Sequence, residues 1–203
     1  VSGMNFKTEA MSVPAWAYGH SDWKYIKSIQ KKFGSKKLKN YPHYTFFDLF
    51  KFNILKGIRI VSVLNYIDYN KEEVMKFLQD ELGWVYYGGK HYESIYTRFY
   101  QSYILPKKFN IDKRKGHLSD LICSGQLSRE SALSEIEKET YQKDLMNRDL
   151  SYVKKKLGFS DEEFTKIMNS PIKSYKDYPN NYSIVQFLRK TVNILRSLGL
   201  YFR

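Results

Sequence analysis

One cysteine, Cys123, is all the sequence offers, which rules out an internal disulfide and any metal site built from cysteines alone. A reducing compartment is the simplest reading. No stretch is apolar enough and long enough to cross a bilayer. The first residues lack the basic, apolar and small-residue order of a secretory leader, so a cytoplasmic location is expected. Acidic residues are scarce: 21 stand against 34 Lys and Arg, leaving a formal +13 and a pI near 9.5. That imbalance calls for an anionic counterpart, whether nucleotide, nucleotide-sugar, nucleic acid or membrane surface. There is no Walker loop, no complete dinucleotide fingerprint and no paired-histidine zinc spacing. The four histidines, His20, His43, His91 and His117, are scattered. A Ser-His-Asp triad could be drawn on paper through almost any of them, so that pattern carries no weight. Neither an internal repeat nor a low-complexity segment is present.

What is there is enough for one sizeable domain, or a domain with a helical tail, in 203 residues. The chain is organised around the stretch from Tyr87 to Gln101. Gly88 and Gly89 precede a run of helical spacing in which Tyr92, Ile95, Phe99 and Tyr103 form an apolar stripe. His91, Ser94, Arg98 and Gln101 recur at i, i+3, i+7 and i+10 and share a second face, with Lys90 at its mouth. Guanidinium and ammonium groups meet phosphate; hydroxyl, amide and imidazole groups meet sugar hydroxyls. An ordinary solvated helix face fits the same spacing.

Elsewhere, Ser21 is expected to cap a helix to Phe33, stopped by Gly34, with Pro14 and Gly3 punctuating the irregular start. Thr45 to Lys56 reads as a helix packed on both sides. Ile58 to Leu64 is short and β-branched and reads as a buried strand, followed by a helix from an Asn70 cap to Gly83. Strand, loop and helix make half of a βαβ unit, and the loop holding Asp68 would then lie where open α/β sheets bind ligands. The basic turn after Pro106 brings Lys107, Lys113, Arg114 and His117 close in sequence, as a phosphate pocket or a solvated turn. Capped helices follow at Ser128 and at Ser160 with Glu163. A last amphipathic helix, Ile184 to Leu198, could favour a membrane surface, although docking on the domain is the preferred reading. Cys123 is read as a buried structural thiol.

Several stretches carry a resemblance: Val1-Ser-Gly-Met-Asn-Phe-Lys-Thr-Glu9, Leu64-Asn-Tyr-Ile-Asp-Tyr-Asn-Lys-Glu72, Gly88-Gly-Lys-His-Tyr-Glu-Ser-Ile-Tyr-Thr-Arg-Phe-Tyr-Gln101, Ile104-Leu-Pro-Lys-Lys-Phe-Asn-Ile-Asp-Lys-Arg114 and His117-Leu-Ser-Asp-Leu-Ile-Cys-Ser-Gly125. Together with Lys155 to Phe164 and Lys173 to Pro179, they resemble the C-terminal half of the N-acetyl sugar amidotransferases of bacterial lipopolysaccharide (LPS) and flagellin-glycan biosynthesis. The resemblance implies an α/β PP-loop fold of Rossmann type, ATP with Mg2+, and a glutaminase partner that supplies ammonia. The reaction it implies turns an acetamido into an acetamidino group on an activated sugar. The family's Ser-Gly-Gly-x-Asp-Ser loop is not in this sequence, and Ser2-Gly3 is not that loop. The chain is therefore expected to begin inside a domain, as a fragment inactive by itself.

The expected division is a partial PP-loop unit over residues 1–83 and a helical region over 84–203. The expected site has Arg98, His91 and Lys90 in catalysis, with Arg98 foremost. Ser94, Gln101, Lys113, Arg114, His117, Ser2, Asn5 and Asp68 would bind substrate or phosphate. The rival readings are an RNA-binding or tRNA-modifying module, whose tyrosines would stack bases, and a non-catalytic dock for the glutaminase.

Overall fold

The computed structural model describes residues 1–11, 13, 16 and 18–199; the punctuation expected at Pro14 lies outside them. Among the described residues every regular element is a helix, with no strand and no sheet, so the expected α/β class is overturned. The β-branched run from Ile58 is where the two part. Its backbone makes a single parallel bridge, Ser2 to Ser62, and the Ser2 N–H donates to the Val61 carbonyl at 2.8 Å. A strand persists through a ladder of neighbours rather than through its own composition. Without that ladder Ile60 is 83% exposed, and the run ends in a 3-10 turn, Val63–Tyr66.

Two compact units interleave along the chain. The first comprises Val1–Trp16 and Ile60–Ile172. It holds α1 (Phe6–Glu9), α4 (Lys71–Leu82), α5 (Ile95–Phe99), α6 (Leu105–Phe109), α7 (Arg114–Cys123), α8 (Arg129–Glu137), α9 (Lys143–Leu157) and α10 (Asp161–Asn169). The second comprises Ala17–Arg59 and Lys173–Arg203, with α2 (Trp23–Phe33), α3 (Phe46–Phe50) and α11 (Tyr182–Ser197).

In the first unit, α5 and α6 are joined by a π turn, Tyr100–Ile104, in which the Leu105 N–H reaches back to Tyr100. Pro106 brings no N–H to the turn behind it, and the Thr140 hydroxyl donates to the Ser102 carbonyl at 3.3 Å. The wide turn also shifts the helical phase, which breaks the regular i, i+3, i+7, i+10 face expected from the sequence. The helix starts later than expected as well. His91 is left-handed at φ 64° and Gly88 at φ 89°, so Gly88 to Glu93 is a turn, and Ser94 caps α5. Phe99 is fully buried and stacks on Tyr103 at 5.1 Å, with Tyr141, Val153 and Phe164 completing the core. α4 begins at the Asn70 cap, which accepts from the Glu72 and Glu73 N–H groups, and ends at left-handed Gly83, as its sequence demands. The Ser160–Glu163 capping box is formed at the start of α10.

In the second unit the cap of α2 is Asp22, one residue beyond the expected Ser21. Its buried carboxylate also accepts from the Tyr18 hydroxyl at 2.6 Å and from the Asn181 N–H at 2.6 Å, tying the start of α2 to the start of α11. Burial alone would raise the pKa of Asp22, but these bonds outweigh it and hold the carboxyl below its ordinary value. The expected packing of the Thr45 helix on both sides is not found. After α3 the chain loosens into a π turn, Lys51–Leu55, and Phe47, Phe50, Ile54 and Leu55 face outward. No residue of α11 is fully buried, although Tyr182, Val185, Val192 and Leu195 are half-buried along one side.

Candidate functional site

All eleven expected site residues lie in the first unit. The structure sorts them into three groups.

The first group surrounds α1. Asn5 is buried and caps α1 by accepting from the Thr8 N–H at 3.0 Å. Asn65 accepts from the Phe6 N–H at 3.0 Å, and Lys7 pairs with exposed Asp68. Ser2 sits at the bridge to Ser62. Ser2, Asn5 and Asp68 thus gather along one short segment that clamps α1 to the 62–70 loop. The end of that segment meets α7: the Met11 N–H donates to buried Asp120 at 2.7 Å. A groove of 380 Å³ opens beside it, lined by Phe6, Lys7, Ala10, Met11, Asp120, Cys123 and Ser124. Cys123 is exposed rather than buried, because α7 ends on this open groove.

The second group holds guanidinium forks that are already engaged. Arg98 donates from Nε to Asp149 Oδ2 at 2.7 Å, from Nη2 to Asp149 Oδ1 at 3.0 Å and from Nη1 to the Tyr92 carbonyl at 3.2 Å. Asp149 is buried and also accepts from the Tyr141 hydroxyl. Burial alone would raise the Asp149 pKa, yet the Arg98 and Tyr141 bonds bring it below the ordinary carboxylate range. Burial, then the carboxylate, pushes the Tyr141 phenol well up. Arg114 pairs with Asp112 at 2.7 Å and donates to the Glu135, Ile136 and Lys138 carbonyls at 2.9–3.0 Å, closing the C-terminal end of α8. Ser94 is occupied as a helix cap, and Gln101 lies in the π turn.

The third group is the chemically unusual one. His117, on the first turn of α7, is half-buried, and its Nε2 has no hydrogen-bond partner among the described residues. Burial, followed by the charges of Lys90, Lys113, His91 and Lys71, pushes its pKa down from 6.5 to about 4. Lys113 and Lys71 are themselves pulled down, first by burial and then by Lys90. Lys90 reaches Glu9 at 3.0 Å; among the described residues neither Lys71 nor Lys113 forms an ion pair. Three ammonium groups and a neutral imidazole therefore share one neighbourhood, in which Glu9 pairs with Lys90 and Glu93 lies 3.7 Å from His91. Lys71 opens α4 and Lys113 is the N-cap of α7, so both cations stand at the positive ends of helices. Gln126 fixes the approach by accepting from the Lys71 N–H at 2.9 Å and donating to the Tyr69 carbonyl at 3.1 Å.

Like charges held together at helix N-termini raise the local potential, and an arriving anion relieves it. A phosphate group fits this donor set: ammonium groups match its charge, and the unpartnered imidazole nitrogen can hydrogen-bond one of its oxygens or a neighbouring hydroxyl. Lys90, Lys113 and His117 were legible in the sequence, whereas Lys71 was not singled out. Its signal was a cation at the first position of a helix, where the dipole disfavours one.

Comparison with known proteins agrees with the resemblance. Residues 93–191 match the family described as LPS biosynthesis protein WbpG-like, C-terminal domain. The matched segment includes Arg98, Lys113 and His117 and starts just past Lys90 and His91. No curated protein and no solved structure matches the chain. No described helix is long and apolar enough to cross a membrane. Over residues 93–191, then, the chain is similar to the C-terminal domain of WbpG-like LPS biosynthesis proteins.

Proposed function

We propose that this chain supplies the C-terminal part of an ATP-dependent N-acetyl sugar amidotransferase, acting on an activated sugar in LPS O-antigen or flagellin-glycan synthesis. The observation that carries the reading is the convergence of Lys71, Lys90 and Lys113 on the buried, unpartnered Nε2 of His117. ATP with Mg2+ would adenylate the acetamido oxygen and release pyrophosphate; ammonia from a glutaminase partner would then displace that oxygen as AMP. The three lysines hold the phosphates of the activated sugar. His117, neutral at physiological pH, offers Nε2 to a phosphate oxygen or sugar hydroxyl. Arg98 is a positioning residue: its fork on Asp149 fixes α5 against α9, next to the turn that presents Lys90 and His91.

Titration calorimetry with UDP-N-acetylglucosamine, and with unphosphorylated N-acetylglucosamine, tests the reading. The nucleotide-sugar binds, and Lys71→Ala or Lys113→Ala weakens it by roughly ten- to a hundredfold, since a charged hydrogen bond contributes about 1.5–3 kcal/mol. The free sugar binds far more weakly. Equal affinity for both sugars, or unchanged binding by the Lys71→Ala/Lys113→Ala double variant, defeats the assignment.

A further inference from the structure

The charge of this protein is not shared between its two units. Sixteen of the 34 Lys and Arg fall in the second unit, against three acidic residues, Asp22, Asp48 and Asp177. That unit carries a formal +13, the value of the whole chain, and the first unit, with eighteen residues of each sign, is neutral. The same unit displays large apolar side chains. On α3 and its π turn, Phe47 is 72% exposed, with Phe50 and Ile54 on the same stripe; on α11, Phe187 is 68% exposed, with Ile194 and Leu198 beside it. Along α11 Arg189 and Arg196 fall on the opposite face from that stripe, and Lys190 borders it.

We infer that the second unit is a peripheral membrane-binding module that seats α3 and α11 in an anionic phospholipid surface. Exposed phenylalanine and aliphatic side chains combined with an excess of lysine are what an interfacial surface presents: the apolar groups enter the boundary between headgroups and acyl chains, and the cations meet the lipid phosphates. Nucleic acid is the poorer fit. A strand-binding surface stacks bases on aromatic rings lying in a basic groove, whereas Ile54, Leu55, Ile194 and Leu198 have no aromatic face to offer and stand as exposed as the phenylalanines. A second copy of the chain is disfavoured by charge, because pairing these surfaces would oppose one +13 unit to another. The inference is independent of the amidotransferase reading, since it involves none of the lysines around His117.

Flotation with vesicles of phosphatidylcholine alone, and with vesicles that also contain phosphatidylglycerol, decides the matter. The 203-residue chain floats with the anionic vesicles and stays behind with the neutral ones. Neutralising Lys36, Lys37 and Lys39 together, each to Gln, weakens partitioning by about a hundredfold, at roughly fivefold per surface lysine. Phe187→Asp with Phe47→Asp abolishes it, and because both side chains are exposed, circular dichroism and thermal unfolding stay at wild-type values. Equal partitioning into both vesicle types overturns the inference, as does no partitioning at all. So does a Phe187→Asp-sensitive dimer without vesicle binding, or an RNA oligonucleotide that binds while anionic vesicles do not.

Discussion

His117 is a titration switch whose direction follows from its surroundings. An unfolded chain takes up the proton near 6.5, but the folded one resists it until about 4, because the half-buried ring sits among ammonium groups. Between those values the unfolded state holds more protons, so stability is full above about 6.5 and falls as the pH drops toward 4. Thermal unfolding followed across that range should show this loss, and His117→Gln should flatten it; parallel loss in both proteins would mean other groups are responsible. The carboxylates act in a lower window. Asp149 and Asp22 have depressed values, so their stabilisation is present above the ordinary carboxylate range and disappears only as the pH falls through it. Arg98 makes the contrasting case. Its partner lies 51 residues away, and no local spacing announces a carboxylate at that distance. The sequence showed a fork on a packed helix; whether it grips a phosphate or an aspartate is decided by tertiary placement. Arg98→Ala leaves Asp149 buried without its counter-charge and should cost about 3–5 kcal/mol in denaturant unfolding. Arg98→Lys should recover only part of that, since an ammonium cannot span both carboxylate oxygens. Full stability in both variants would return Arg98 to the list of residues free to bind substrate.

Among the elements, several that announce themselves locally fall where the sequence puts them, although the cap of α2 is Asp22 rather than Ser21. Asn70 and Gly83 bracket α4, Gly34 stops α2, Ser128 opens α8, and Ser160 with Glu163 opens α10. Each is a side chain or a glycine within a few residues of the backbone groups it satisfies. The Ile58 to Leu64 run failed for the opposite reason: β-branched composition permits a strand, but only a non-local ladder makes one, and here a single bridge is formed. The π turn was likewise hidden, because its carbonyl at Ser102 is satisfied by Thr140, 38 residues on. Cations that close helix C-termini from a distance belong to the same class. Lys108 donates to the Met168 and Ser170 carbonyls at 3.1 and 2.8 Å at the C-terminal end of α10, as Arg114 does at the end of α8. Arg114→Ala should therefore open the last turn of α8, costing about 1.5–3 kcal/mol. Amide exchange in α8 is expected to quicken most toward Glu137, while α9 keeps its protection. A uniform rise across both helices would show that Arg114 supports the whole unit rather than one helix end.

At the scale of the whole molecule, the separation of charge from the candidate site becomes testable through salt. A composition of +13 suggested one basic protein seeking one anion, and nothing in the totals revealed that the excess belongs to a single unit. The lysines around His117 sit in a neutral unit and are partly buried, so their attraction for phosphate is short-ranged and depends on lost solvation as much as on net charge. The lysines of the second unit stand mostly exposed, where a screening length of about 10 Å at 0.1 M salt removes most of their pull on a distant surface. Raising the salt from low to above physiological strength should therefore release the chain from anionic vesicles while lowering affinity for the nucleotide-sugar only modestly. Flotation and calorimetry on the same preparation, at the same salt concentrations, measure both. Should the two affinities decline in proportion, one basic surface serves both ligands, and the division of labour between a neutral site-bearing unit and a basic anchoring unit would have to be abandoned.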